Sequence, residues 1–186
     1  MATAKEILRL EHEAIVKMLD VTEKAAGRLE RDEAVRPEVL ANLQEFFRLF
    51  VDQCHHGKEE ELLFPLLEQK GMPRGGGPIG VMLHEHEEGR ALIREMRDAA
   101  EATKSGAAGA GSRWAGAARG YVGLLRHHIE KENNVLFVMA ERLLTPAEQE
   151  QLAKDFEKLE IDKMGAGTHE RLHTMIDKMV VEFLPK

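Results

Sequence analysis

The chain has 186 residues, enough for one well-buried domain, and its net charge of −7 argues against a nucleic-acid surface, which needs a basic stripe. Charged residues crowd the segment from Met1 to Glu13 and no apolar run approaches the roughly 20 residues of a membrane span, so neither a secretory signal nor a membrane partner is expected. Cys54 is the only cysteine, which excludes an intrachain disulfide and makes a cytoplasmic location the expectation.

With one Tyr, one Trp and few β-branched runs, the chain reads as all-α, and its apolar residues recur at the helical period nearly throughout. A first helix is predicted from about Ala4 to Arg28, with Leu8, His12, Ile15 and Leu19 on one stripe. A second opens with Pro37 in its first turn and runs to about Lys70, aligning Val51, His55, Glu59, Leu62 and Leu66. Gly71, Pro73 and the run Gly75-Gly76-Gly77-Pro78 end it. The third, from about Ile79 to Thr103, lines up Ile79, Met82, His86, Ile93 and Met96. A flexible loop is predicted over Ser105 to Ser112. The fourth helix then carries Trp114, Tyr121, Leu125, His128, Glu132, Val135 and Met139 to about Leu144. Thr145-Pro146-Ala147-Glu148 is a capping box that opens a fifth helix to about Met164. Gly165-Ala166-Gly167 breaks it, and Thr168 is expected to cap a sixth. The architecture predicted is an antiparallel four-helix bundle over residues 1–144, built from a duplicated helix pair, with residues 145–186 packed on it as two extra helices of the same domain.

The duplication is visible in the polar residues that interrupt the apolar stripes. Glu11-His12-Glu13 is followed by His55, Glu59 and Leu63-Phe64, and Glu85-His86-Glu87 by His128, Glu132 and Leu136-Phe137. The copies lie 74 residues apart at the first histidine and 73 at the second. Phe64 and Phe137 each stand nine positions after a histidine, which matches His55 with His128 and leaves His56 and His127 out of register. A His and a Glu four apart share a helix face, so both point into one interior. Burying four imidazoles and two carboxylates in one core is heavily penalised without a metal or full hydrogen bonding. Six such donors exceed what one tetrahedral ion needs, and the donor types suit iron, manganese or zinc.

These residues resemble the hemerythrin-like, or HHE cation-binding, domains: a lone His on the first helix, His-x-x-x-Glu on the second, a His on the third and His-x-x-x-Glu on the fourth. The resemblance implies a non-haem centre of two iron ions inside a four-helix bundle. By it, His12 and His55 serve one iron, His86 and His128 the other, and Glu59 and Glu132 bridge. Oxygen carriers of the family hold a second third-helix histidine one turn away, where this chain has Met82 and Arg90. His84 lies about 200° around the helix from His86 and should point elsewhere. The resemblance therefore implies the branch that senses or reacts with a small oxidant such as O2, H2O2 or NO in oxidative or nitrosative stress, or that repairs iron centres. A non-catalytic iron- or oxygen-binding regulatory or storage bundle is the alternative. His56 is the nearest candidate for an additional ligand.

His169-Glu170-Arg171-Leu172-His173 also matches the HExxH pattern of zinc peptidases, with two histidines on one helix face and Glu170 as a base. Its context is poor, with only 13 residues following and no further histidine. The reading preferred is a short helix that buries Leu172, Ile176, Met179, Val180 and Phe183 against the bundle and brings His169 or Glu170 near the metals as an outer group.

Overall fold

The computed structural model describes residues 2–165 and 167–184, and these form helices joined by turns, with no strand among them. Ala166, Pro185 and Lys186, within the expected break and the expected C-terminal helix, lie outside the described residues. Helix α1 (Ala4–Glu30) starts at Thr3, whose hydroxyl accepts from the Glu6 amide while the Glu6 carboxylate accepts from the Thr3 amide. Helix α2 (residues 37–69) opens on Pro37, where no amide donor is required. It is α-helical over Pro37–Phe46 and Phe64–Gln69 and π-helical over Phe47–His56 and Glu59–Leu63. Gly76, at φ 76°, precedes α3 (Gly77–Lys104).

Helix α4 (residues 110–143) is α-helical over Ala110–Lys131 and Phe137–Leu143 and π-helical over Glu132–Leu136. It begins inside the segment expected to be a loop. Gly109 reverses the chain at φ 72°, and Ala110, a strong helix former, is already helical and buried. Helix α5 (Pro146–Met164) has the expected capping box on Thr145. Helix α6 (Thr168–Phe183) does not have the expected cap. Gly167 holds the cap position, while the Thr168 hydroxyl turns back to donate to the Met164 carbonyl at 2.7 Å.

Helices α3 and α4 lie along each other, α1 packs on α4 and α2 on α3, and α5 and α6 pack across α1 and α2. Two apolar clusters result. One gathers Ile15, Leu19, Phe47, Val51, Met96, Trp114 and Leu125 with Leu172, Ile176, Met179 and Phe183 of α6. The other gathers Leu8, Leu63, Phe64, Ile79, Met82, Leu136 and Phe137 with Leu152 and Phe156 of α5. Each of α1 to α4 passes from one cluster to the other through its buried polar residues, so the polar layer is closed by hydrocarbon on both sides. No helix among the described residues is long and apolar enough to cross a membrane.

The π-helical segments correct the predicted stripes. A π turn holds an extra residue, so the buried face advances by one position beyond each glutamate. Leu63 and Leu67 are buried where Leu62 and Leu66 were expected, and Leu136 and Ala140 are buried while Val135 is 46% and Met139 37% exposed.

Candidate metal centre

The structure brings His12, His55, Glu59 and Glu132 into one buried group and His56, His86, His128 and Glu59 into another, each with donor atoms within 4.8 Å of one another. The two groups touch through their carboxylates. Glu132 reaches from His128 Nε2 (3.1 Å) to His12 Nε2 (3.1 Å), and Glu59 from His86 Nε2 (3.5 Å) to His55 Nε2 (4.0 Å). His56 is the addition that the register pattern left out. The π-helical stretch through Phe47–His56 lets adjacent His55 and His56 both turn inward, and the His56 ring stacks on His86 with centroids 3.8 Å apart. His84 and His127 are exposed, as expected.

An acceptor stands behind each ring of the four repeat-matched histidines. Nδ1–H of His55 donates to Glu11 Oε2 (2.8 Å), that of His128 to Glu85 Oε2 (2.9 Å), that of His86 to Glu60 Oε1 (2.6 Å) and that of His12 to Asn133 Oδ1 (3.2 Å). Carboxylate and carbonyl oxygens only accept, so the proton sits on Nδ1 and the Nε2 lone pair points inward. With Nε2 unprotonated, the lone pairs face each other, His12 against His55 and His86 against His128, each at 3.1 Å. Both oxygens of Glu59 and of Glu132 and both ring nitrogens of His56 are buried without an aligned hydrogen bond. Two ligand nitrogens on one ion, at roughly 2.1 Å each and about a right angle, lie about 3 Å apart. Inward ring nitrogens and two carboxylates crowded into one buried layer without aligned hydrogen bonds for Glu59 or His56 are costly by themselves and favourable around cations, so the residues fit a two-metal group.

Protonation in the polar layer follows from the same crowding. Burial pushes Glu59 well above the usual carboxylate range, and the neighbouring Glu132 charge adds to it. Burial acts on Glu132 too, but His128 and His12 hold it well below that range. His128 is raised to about 9 despite its burial, by Glu132 and Glu85, so its Nε2 carries a proton that a metal ion would displace, whereas burial lowers His55, His56 and His86.

Residues that the sequence reading left without a role complete the arrangement. Lys58 and Lys131 donate to Glu11 and Glu85, the carboxylates that hold His55 and His128. Glu11 and Glu85 precede the first histidine of each repeat and the lysines precede each inner glutamate, so the repeat register carried this signal as well. Glu60, in the acidic run after Glu59, accepts from His86 and from Arg90 (2.7 Å) and is partly buried. His169 and Glu170 do not join either group. His169 lies on α6 with its Nε2 3.8 Å from Glu160 Oε1, and Glu170 is exposed. Those positions face away because α6 packs with Leu172, Ile176, Met179 and Phe183, and Val180 is half-buried. Two openings approach the layer. A cavity of about 180 Å³ reaches His56 and His86 beside Tyr121 and Arg90, and a groove of about 660 Å³ reaches His12 between α1 and α4.

The model of the hemerythrin HHE cation binding domain matches residues 3–140. The chain belongs to that hemerythrin family. It is 25% identical to an uncharacterized protein of Mycobacterium tuberculosis over 177 residues, 95% of this chain and 68% of the relative. It is 32% identical over 120 residues to the iron-sulfur cluster repair protein YtfE of Escherichia coli, covering 62% of this chain and 54% of the relative. With the iron-sulfur cluster repair protein DnrN of Neisseria gonorrhoeae it shares 38% over 86 residues, 45% of this chain and 54% of the relative. The match therefore spans about half the length of these repair proteins. No solved structure matches the chain.

Proposed function

We propose that this hemerythrin-family protein is a non-haem di-iron protein that reacts with or senses O2, H2O2 or NO in oxidative or nitrosative stress. Residues 1–144 would form the antiparallel four-helix bundle of the metal centre, with residues 145–186 packed on it as an addition. The reading rests above all on the inward Nε2 atoms, opposed at 3.1 Å beside two buried carboxylates that make no aligned hydrogen bond. His12 and His55 would hold one ion, His56, His86 and His128 the other, and Glu59 and Glu132 would be shared. Manganese or zinc suits the same donors, and iron is favoured because relatives carry the name of iron-sulfur cluster repair proteins.

Bound iron would supply redox chemistry and open positions for a small ligand. Glu11, Glu60 and Glu85 hold the Nδ1 protons of His55, His86 and His128, which fixes each ring and strengthens the inward nitrogen as a donor. The apolar clusters on either side exclude bulk water. The cavity at His56 and the groove at His12 give small molecules two approaches. Metal analysis of anaerobically purified protein, followed by optical spectra with O2, H2O2 and NO, tests the reading. Two irons per chain and a spectral response to at least one of the three are expected. A protein that takes up no iron, or whose iron ignores all three, would overturn it.

A further inference from the structure

The two openings to the polar layer differ in charge. The groove at His12 is lined by Arg9 and Lys17 but also by Glu13 and Glu130, so its charges balance. The cavity at His56 and His86 is lined by Arg48, Arg90, Arg94 and Arg97 and by a single carboxylate, Asp52, in a chain whose net charge is −7. The three α3 arginines stand at i, i+4 and i+7, on one helix face, and Arg48 lines the cavity from α2. Arg90 is committed to Asp52, Glu60 and Glu87, each at 2.7 Å, and Arg97 pairs with its neighbour Asp98. Arg48 and Arg94 are exposed at the mouth and make no ion pair among the described residues. Deeper in, two buried groups lack partners. Both ring nitrogens of His56 are without a hydrogen bond, with Asp52 Oδ1 3.9 Å from Nδ1. Tyr121 is 2% exposed, its ring set edge-on to Phe47 with centroids 4.7 Å apart, and its hydroxyl makes no hydrogen bond among the described residues. A buried tyrosine hydroxyl ordinarily finds an acceptor, and here the acceptor has to come from the cavity that Tyr121 lines.

We propose that this cavity binds a small monovalent oxyanion of the size of nitrite or nitrate, drawn in by Arg48 and Arg94 and accepting a hydrogen bond from the Tyr121 hydroxyl. A volume of about 180 Å³ admits an anion of a few heavy atoms with some water and excludes a nucleotide or a peptide. Unpaired guanidiniums do little for a neutral oxidant, so an anion is the ligand that distinguishes this opening from the balanced groove at His12. The cavity ends at His56 and His86. Passage of the anion from there to bound metal rests on the metal-centre reading above; the anion site does not.

The test uses full-length protein loaded with iron and titrated calorimetrically with sodium nitrate, an anion that ligates metals poorly, so that its binding reports the protein's own side chains. Wild type should bind one nitrate per chain, more weakly as sodium chloride is raised. Replacing Arg48 and Arg94 together with Gln should weaken binding about tenfold or more and Tyr121→Phe about fivefold, while Lys17→Gln at the other opening leaves it unchanged. Arg48, Arg94 and Lys17 are exposed, so their replacement leaves the fold intact, and circular dichroism verifies this. No nitrate bound by wild type, or equal affinities in wild type and either the double-arginine variant or Tyr121→Phe, would overturn the site, whether or not iron has loaded. For passage to metal, nitrite, which ligates iron, should change the optical spectrum of the centre at about tenfold lower concentration in wild type than in the double-arginine variant. Equal concentrations would overturn the passage and leave the site standing.

Discussion

The two halves of the centre share a ligand frame and differ in what surrounds it. In one, Glu11 joins His55 to Lys58, and Lys58 is 1% exposed because α5 covers it and brings Glu160 against its ammonium. In the other, Glu85 joins His128 to Lys131 in the same way, but Lys131 is 39% exposed. The His12 ring is backed by the neutral amide of Asn133, and His86 by the charged Glu60, which occupies the equivalent position. His56 turns inward on the second half, and its counterpart Ile129 adds hydrocarbon to the first. Duplication thus accounts for where the candidate donors stand, and the residues that differ between the halves together with the C-terminal helices account for how firmly each set of side chains is held.

The largest effect tests what the halves have in common. Replacing Glu132 with Ala removes the carboxylate that reaches both groups, so both ions should be lost together with on the order of 3 kcal/mol or more of stability. Metal content and thermal melting check this, and one ion retained at full occupancy would show that the halves are independent. The next test separates them. Lys58→Met strands a buried Glu11 charge and should cost about 3–5 kcal/mol, whereas Lys131→Met at the surface should cost less than about 1 kcal/mol. Equal losses in denaturant melts would mean that α5 does not distinguish the halves.

A pH series sharpens the same contrast. Burial would raise Glu11, yet its hydrogen bonds and charges from His55 and Lys58 lower it from 4.5 to about 2. A lowered carboxylate contributes stability that is present above pH 4.5 and lost as the pH falls towards 2. Glu11→Gln should therefore be less stable than wild type at neutral pH by on the order of 2–3 kcal/mol and should flatten the acid limb of the stability curve. An unchanged limb would place the acid sensitivity elsewhere. The smallest effect concerns the rings' backing. Glu60→Gln gives His86 the neutral partner that His12 already has, and should weaken one ion about tenfold without touching the other. Stepwise metal titration reads this directly, and an equal change in both steps would contradict the assignment of Glu60 to a single half.

By itself the sequence determined the all-helical class, the helix order and the six repeat-matched donors, because apolar periodicity and a fixed repeat offset are local properties of the chain. It also carried the pairing of Glu11 with Lys58 and of Glu85 with Lys131 in its register, although carboxylates and lysines at such positions are commonplace until their partners are seen. What it did not determine is the phase of each helix beyond its inner carboxylate. The π-helical turns at Glu59 and Glu132 advance the buried face to Leu63 and Leu136, and another π-helical stretch turns His56 inward beside His55. Tertiary structure decided those turns, since the side chains that the extra residue redirects at Glu59 and Glu132 are held by the polar layer they enter. It also decided the inequality of Lys58 and Lys131. Nothing in the two lysines' own neighbourhoods differs enough to foretell it, and the difference arises because α5 and α6 bury their apolar faces against α1 and α2, covering one half of the centre and leaving the other open.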